Sequence, residues 1–176
     1  MKFSEWQPWY NKICQILHYN QTRDQNAAEI LSQILQTKRL ASLAKLKNKI
    51  KQKSATVIFG NGPSLFWHLN TLKDFLNKFF IFPADGATSI LLKNKIVPHV
   101  IVSDLDGKIE DLILANSKGS VIVIHAHGDN IHLLKEVYKF KGQLMGTTQN
   151  EPFSMLYNFG GFTDGDRCAF LAGELG

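Results

Sequence analysis

What this sequence lacks narrows its class before any motif is read. No apolar run approaches the roughly 18–20 residues that a bilayer-spanning helix needs. The N-terminus, Met1-Lys2-Phe3-Ser4-Glu5-Trp6, has no apolar signal core and soon meets Pro8. A cytoplasmic protein without a membrane partner is the expectation. Cysteine is scarce: Cys14 and Cys168 are the two present. They form no metal-ligand pair and no disulfide framework, so a reducing compartment and two small buried side chains are expected. Glycine is absent from residues 1–53, and acids are few there. That segment carries ten Lys/Arg against three acids, a balance of +7, while residues 54–176 carry ten against twelve, a balance of −2. No aromatic interleaving or nucleic-acid motif accompanies the basic charge. It therefore reads as a solvated helical face, not as a nucleic-acid surface.

What is present divides into two parts. In residues 1–53, Ile30, Leu31, Ile34 and Leu35, then Leu40, Leu43, Leu46 and Ile50, recur at three- and four-residue spacing. A helical N-terminal appendage follows, with Asp24 expected to cap a helix beginning near Gln25. Its amphipathic helices offer a possible homodimer contact. From residue 54, short apolar runs alternate with helical stretches. Val57-Ile58-Phe59, Phe79-Phe80-Ile81-Phe82, Val100-Ile101-Val102, Val121-Ile122-Val123-Ile124 and the weaker Gln143-Leu144-Met145 read as five strands. Helices are expected over 64–77, 88–95, 130–140 and 166–175. This alternation predicts an α/β fold: a doubly wound, mostly parallel sheet over residues 54–176.

Nearly every residue with chemical capacity falls just after a strand. The post-strand segments are Gly60-Asn61-Gly62-Pro63-Ser64, Pro83-Ala84-Asp85-Gly86-Ala87-Thr88, Ser103-Asp104-Leu105-Asp106-Gly107, His125-Ala126-His127-Gly128-Asp129-Asn130 and Gly146-Thr147-Thr148-Gln149. In an open parallel sheet these share the carboxyl edge and form the ligand crevice.

Asp104 and Asp106 are the strongest feature. Two carboxylates held close at a strand end repel each other and gain by sharing a cation, and magnesium takes a few carboxylate oxygens with water and phosphate completing its shell. An Asp-Gly turn with a capping aspartate is the plainer alternative. Six of the nine aspartates, Asp85, Asp104, Asp106, Asp129, Asp164 and Asp166, lie in the proposed loops, which favours a metal. Gly107 is expected to supply a sharp turn.

The 60–64 loop can bring backbone N–H groups to an anion at a helix N-terminus, with Ser64 as N-cap. It is not a Walker A loop, because it lacks Gly-Lys-Ser/Thr. His125-Ala126-His127-Gly128-Asp129 partly matches a two-zinc hydrolase pattern, but Asn130 stands where a further His would follow. Asp129 is better placed in a magnesium site, with the histidines bonded to substrate, phosphate or local backbone. In the stretch 158–167, Arg167 is a candidate phosphate clamp, and Phe153, Tyr157, Phe159 and Phe162 can stack on a ring or pack on the sheet.

As an ordered set over residues 55–175, these loops, with Asn158-Phe159-Gly160-Gly161-Phe162-Thr163-Asp164-Gly165-Asp166-Arg167, resemble the archaeal-type 6-hydroxymethyl-7,8-dihydropterin pyrophosphokinase family. Its catalytic domain is related in fold to thiamin pyrophosphokinase. A motility-associated glycosyltransferase-like family shares mainly the Gly-x-Gly-Pro-Ser-Leu loop. The resemblance implies transfer of the β,γ-pyrophosphoryl group of ATP to the hydroxymethyl oxygen of a pterin, leaving AMP, in tetrahydromethanopterin or folate-type cofactor synthesis. It implies magnesium on Asp104, Asp106 and Asp129, with Asp85 as a further ligand or as orienter of the hydroxyl. Ligand contacts would come from Gly60, Asn61, Gly62, Ser64, His125, His127, Thr147, Thr148, Gln149, Asn158, Asp164 and Arg167. Three other readings stay open at this level: a pyrophosphokinase for another alcohol such as thiamin, a glycosyltransferase-like nucleotide-sugar enzyme, and an inactive nucleotide-binding module. The sequence stops at Leu175-Gly176, where the family continues with another strand and helix, so a truncated or processed form is a further expectation.

Overall fold

β-Branched and aromatic residues dominate the five apolar runs, and each run becomes a strand. The computed structural model describes residues 1–176. β1 (Ala55–Phe59) and β2 (Phe79–Pro83) pair in parallel. β3 (Val100–Ser103), β4 (Val121–Ala126), β5 (Leu144–Thr148) and β6 (Leu156–Tyr157) form a second parallel sheet in that order. An isolated bridge between Ala84 and Val102 links the two. The strands thus follow one another in sequence, and every one ends at the same edge.

The alternation along each strand sorts the apolar residues into two faces. Phe80, Phe82, Val100, Val102, Val121, Val123 and Met145 point to one side. There they meet α3 (Leu43–Ile50) through Leu46 and Ile50, and α7 (Asp164–Leu175) through Cys168, Leu171 and Leu175. Ile101, Ile122, Ile124, Ala126 and Leu144 point to the other. This second face is covered by α2 (Gln21–Leu35), α6 (Ile109–Ser117) and the 3-10 helix Ile131–Lys139. Over β1 and β2 the covering elements are α4 (Leu65–Leu72) and α5 (Thr88–Lys93). Helices on both faces of parallel strands make the α/β architecture that the sequence predicts. Cys14 and Cys168 are free and buried, as expected.

The structure changes several details. The strands run further than their apolar runs, so Ser103, His125, Thr147 and Thr148 sit on strands instead of in the loops after them. Ladder pairing extends them: Ser103 pairs with Ile124, and His125 with Thr147. α6 is an additional helix. Its signal is the spacing of Ile109, Leu112 and Ile113, obscured by a length of nine residues. The expected helix at 130–140 winds as 3-10. Asp24 does not cap α2. That helix begins at Gln21, and the Asn20 side chain accepts from Thr22 N and Arg23 N at 2.9 and 3.2 Å.

The N-terminal helices are built into this framework. Ala27, Ala28, Leu31, Ile34 and Leu35 of α2 lie in the same buried cluster as Ile122, Ile124 and Leu144. Gly146 of β5 lies against Leu35 and Leu156 so closely that a Cβ at 146 would collide with both. α1 (Phe3–Leu17) packs through Trp6, Tyr10 and Cys14, with Phe162 against that cluster. Leu35 is fully buried. Leu35→Ala should therefore lower the unfolding free energy by about 2–5 kcal/mol, the usual cost of a core leucine truncation. Urea denaturation checks this, and a loss under about 0.5 kcal/mol, as for surface changes, would show that α2 is not part of the cooperative core.

Candidate active site

The segments after β2 and β3 are drawn together by Asp85. It opens a short 3-10 turn, Asp85–Ala87, and is buried. Its Oδ2 accepts from Ser103 Oγ and, at 3.3 Å, from Gly107 N. Ser103 Oγ accepts in turn from Leu105 N at 2.8 Å. A side chain at 107 would run into the Asp85 carboxylate, so glycine is required there for close approach. This corrects the expected turn role of Gly107. The left-handed residue in the loop is Leu105, with φ 71. Such a conformation costs a branched residue about 1–2 kcal/mol. It is held by burial of the Leu105 side chain and by Asn130 Nδ2, which donates to Asp104 O and His125 O at 2.7 Å each.

One oxygen from each of Asp85, Asp104 and Asp106 lies within 4.8 Å of the others. Hard carboxylate oxygens, few in number and beside an open cleft, fit magnesium. Asp129 is not in this group. It lines the same cleft, but its carboxylate is 3.4 Å from Arg23 Nη1. The cleft, of about 310 Å³, is also lined by Tyr19, His127, Gln149, Phe162, Thr163, Asp164 and Arg167. His127 Nε2 is 3.3 Å from Asp104 Oδ2. Arg167 Nη1 is 3.3 Å from Asp164 Oδ1, and its Nη2 donates to Gln149 Oε1 at 3.4 Å.

This gathering of acids shows in their proton affinities. Burial works against the charged form of Asp104, but hydrogen bonds from His127 and Asp106 and the attraction of His127 prevail and hold it at about 2. Asp106 is pushed up to about 6 by burial, by its hydrogen bond with Asp104, and by repulsion from Asp104 and Asp85. Burial, reinforced by repulsion from Asp104, raises Asp164 to about 7 against the pull of Arg167. Burial also raises Asp85. The cleft therefore takes up protons where isolated carboxyls would not.

The remaining residues expected at the site fall in three places. His125 and Thr147 sit behind the cleft, with Nδ1 and Oγ1 3.1 Å apart, beside Thr148 and Arg167 in a smaller cavity. His125 is held well below its ordinary range by burial and by Arg167, and its Nε2 has no partner. Asn158 ties loops together, donating to Asn150 O and accepting from Gly160 N at 2.8 and 2.9 Å. Gly60, Asn61, Gly62 and Ser64 lie at the same sheet edge but do not line the cleft. Asn61 rests against Gly86, where a Cβ would come within 2.7 Å of its Nδ2, and Ser64 occupies the N-cap of α4 without a side-chain cap bond. Asp166 is structural, accepting from Thr163 N at 2.6 Å in the cap of α7. Sequence reading missed Tyr19 and Thr163 as cleft residues, and Asn130 as a bridge. Only Asn130 had a signal, its place in a polar post-strand segment.

Comparison with known proteins covers nearly the whole chain. Residues 26–176 match the sequence family described as 6-hydroxymethylpterin diphosphokinase MptE-like. Among curated relatives, one from Pyrococcus furiosus is 46% identical over 177 residues, covering all of this chain and 74% of the relative. One from Methanocaldococcus jannaschii is 42% identical over 180 residues, covering 98% of this chain and 74% of the relative. One from Methanothermobacter thermautotrophicus is 39% identical over 176 residues, covering all of this chain and 75% of the relative. Each of the three bears the name 6-hydroxymethyl-7,8-dihydropterin pyrophosphokinase.

The pH dependence of cation binding follows from the raised acids. Their pKa values in the folded state exceed the ordinary carboxyl value of 3.8, so the metal-free fold is favoured at low pH and loses that contribution as pH rises through about 6 to 7. A divalent cation offsets the repulsion only where the carboxyls are deprotonated. Millimolar magnesium should raise Tm at pH 7.5 and have little effect at pH 5. Differential scanning fluorimetry with and without the cation measures this, and a pH-independent shift would count against the carboxylate site.

Proposed function

Because the chain belongs to the 6-hydroxymethylpterin diphosphokinase MptE-like family, we propose that it transfers pyrophosphate from ATP to the hydroxymethyl group of 6-hydroxymethyl-7,8-dihydropterin. The observation that carries this is the meeting of Asp104 and Asp106 in one cleft that Arg167 also lines, with the buried Asp85 carboxylate close behind them. One part of that cleft suits a cation and another suits phosphate oxygens.

In the proposed reaction the hydroxymethyl oxygen attacks the β-phosphorus of ATP. A new O–P bond forms, the bond from Pβ to the α,β-bridging oxygen breaks, AMP leaves with that oxygen, and the hydroxyl proton is released to solvent. Asp85, Asp104 and Asp106 would hold magnesium, which when bound neutralises triphosphate charge. Asp85 is oriented by Ser103 and Gly107, and Asp104 by His127. Arg167, kept in place by Asp164 and Gln149, would meet the negative charge of phosphate oxygens in the same cleft. Tyr19 and Phe162 present a tilted aromatic pair, with centroids 5.6 Å apart, to a flat heterocycle. Loose phosphoryl-type transition states depend on positioning and electrostatics more than on a strong base, which suits a site rich in fixed charges. The proposed setting is pterin-cofactor synthesis inside the cell. No helix is long and apolar enough to cross a membrane.

The test is product identity. The chain supplied with ATP, magnesium and 6-hydroxymethyl-7,8-dihydropterin should release AMP only when all three are present. Release of ADP, or turnover with thiamin in preference to the pterin, would defeat the proposal. Asp104→Ala and Asp106→Ala should each lower kcat by at least about a hundred-fold, on the scale of lost electrostatic stabilisation. Circular dichroism should stay unchanged, since neither side chain belongs to the buried apolar core. Wild-type-like rates in either variant would refute the assignment.

A further inference from the structure

The basic N-terminal segment contains a buried acid that the proposed chemistry does not use. Asp24, on α2, is 3% exposed. Its Oδ2 accepts from Tyr10 OH at 2.7 Å and from Gln149 Nε2 at 2.8 Å, and its Oδ1 from Gly128 N at 2.6 Å. A buried carboxylate needs such donors to repay desolvation, and charged hydrogen bonds of this kind are among the strongest in proteins. Two of the three donors belong to site loops. Gln149 Oε1 accepts from Arg167 Nη2, while Gly128 adjoins both His127 and Asp129. The neighbouring Arg23 secures the other end of the same residue, its Nη2 donating to Gly128 O at 2.8 Å. A Cβ at 128 would come within 2.6 Å of Arg23 Cβ, so α2 approaches this loop as closely as glycine allows. Trp6 Nε1 adds a bond to Gln149 O at 2.9 Å.

We propose that Asp24 is a positioning residue for the cleft, holding the Gln149 amide so that it orients Arg167, and holding the 127–129 loop so that His127 faces Asp104. The inference rests on reading the cleft as a pyrophosphokinase site. Physically, the Gln149 side chain has two ends. With its nitrogen committed to Asp24, its oxygen is presented to Arg167, so the carboxylate decides which end meets the guanidinium. Asparagine cannot substitute. If its nitrogen replaced Oδ2 it would confront two donors, and if it replaced Oδ1 it would confront Gly128 N–H.

The experiment compares full-length wild type, Asp24→Asn, Tyr10→Phe, Gln149→Met and the Asp24→Asn/Gln149→Met pair. Readouts are Tm, kcat, KM for each substrate, and affinity for inorganic pyrophosphate with magnesium by calorimetry. Asp24→Asn should lower kcat by at least about ten-fold, since small misplacements of charged groups have large kinetic effects, and should weaken pyrophosphate binding. Tyr10→Phe removes the donor that leads away from the cleft. It should lower Tm yet leave kcat within about two-fold, the range of an uncoupled site. In the double variant, adding Asp24→Asn to Gln149→Met should weaken pyrophosphate binding by less than Asp24→Asn does in the wild type, because the path to Arg167 is already broken and only the hold on the 127–129 loop remains to be lost. A merely structural Asp24 predicts instead that kcat follows Tm in Asp24→Asn and Tyr10→Phe alike, or that the double variant's losses multiply, and either result overturns the proposal. If Asp24→Asn does not fold, Gln149→Met decides: unaltered pyrophosphate affinity refutes the relay, and weakened affinity supports it. If wild type binds magnesium pyrophosphate but turns over no pterin, the functional reading fails by itself, and the binding data still judge Asp24.

Discussion

Mutual repulsion among carboxylates is the constraint around which this protein's carboxyl edge is arranged. Asp85, Asp104 and Asp106 lie within reach of one cation, and Asp164 adds a fourth charge at the cleft wall. Left alone, these groups would drive the loops apart or hold protons, and the raised affinities of Asp106 and Asp164 record that tendency. The chain opposes it with donors. Ser103 and Gly107 serve Asp85, His127 serves Asp104, and Arg167 serves Asp164. What remains is a site whose charge is incompletely balanced, which is the condition under which a divalent cation gains most by binding.

The framework that imposes this crowding is apolar. β3 and β4 are buried throughout, and their in-register pairing fixes where each strand ends. Ser103 can reach Asp85 because an isolated bridge ties Ala84 to Val102 across the junction of the two sheets. The left-handed Leu105 then turns the backbone over, and its buried side chain pins the turn to the core. Backbone strain, core packing and the position of the Asp104 and Asp106 carboxylates are thus one feature.

The N-terminal helices connect with the same edge by a different route. Their apolar stripes were legible as helix, and the lysines in residues 45–53 as a solvated face. Their polar contribution was not, because Asp24 resembles any aspartate near a helix start. Its significance lies in partners more than a hundred residues away, Gly128 and Gln149. Tyr19 was invisible in the same way: it is an ordinary aromatic until it meets Phe162, which the sequence offered only as one of four aromatics that could stack on a ring or pack on the sheet.

The sequence by itself determined the α/β class, the strand runs and the convergence of Asp85, Asp104, Asp106, His127, Gln149, Asp164 and Arg167 on one edge. Short apolar runs and three-to-four-residue spacings are local, and parallel strands put their carboxyl-end loops together whatever the details. Tertiary structure alone decided which of those residues face each other. It set Asp85 beside the Asp104/Asp106 pair, turned Asp129 toward Arg23, placed His125 and Thr147 behind the cleft, and left Gly60, Asn61, Gly62 and Ser64 out of its lining. Such choices depend on strand register, on how closely α2 and α7 approach the sheet, and on hydrogen bonds between distant segments. None of these has a local signature, because each is fixed by the packing of side chains that sequence separates and the core brings together.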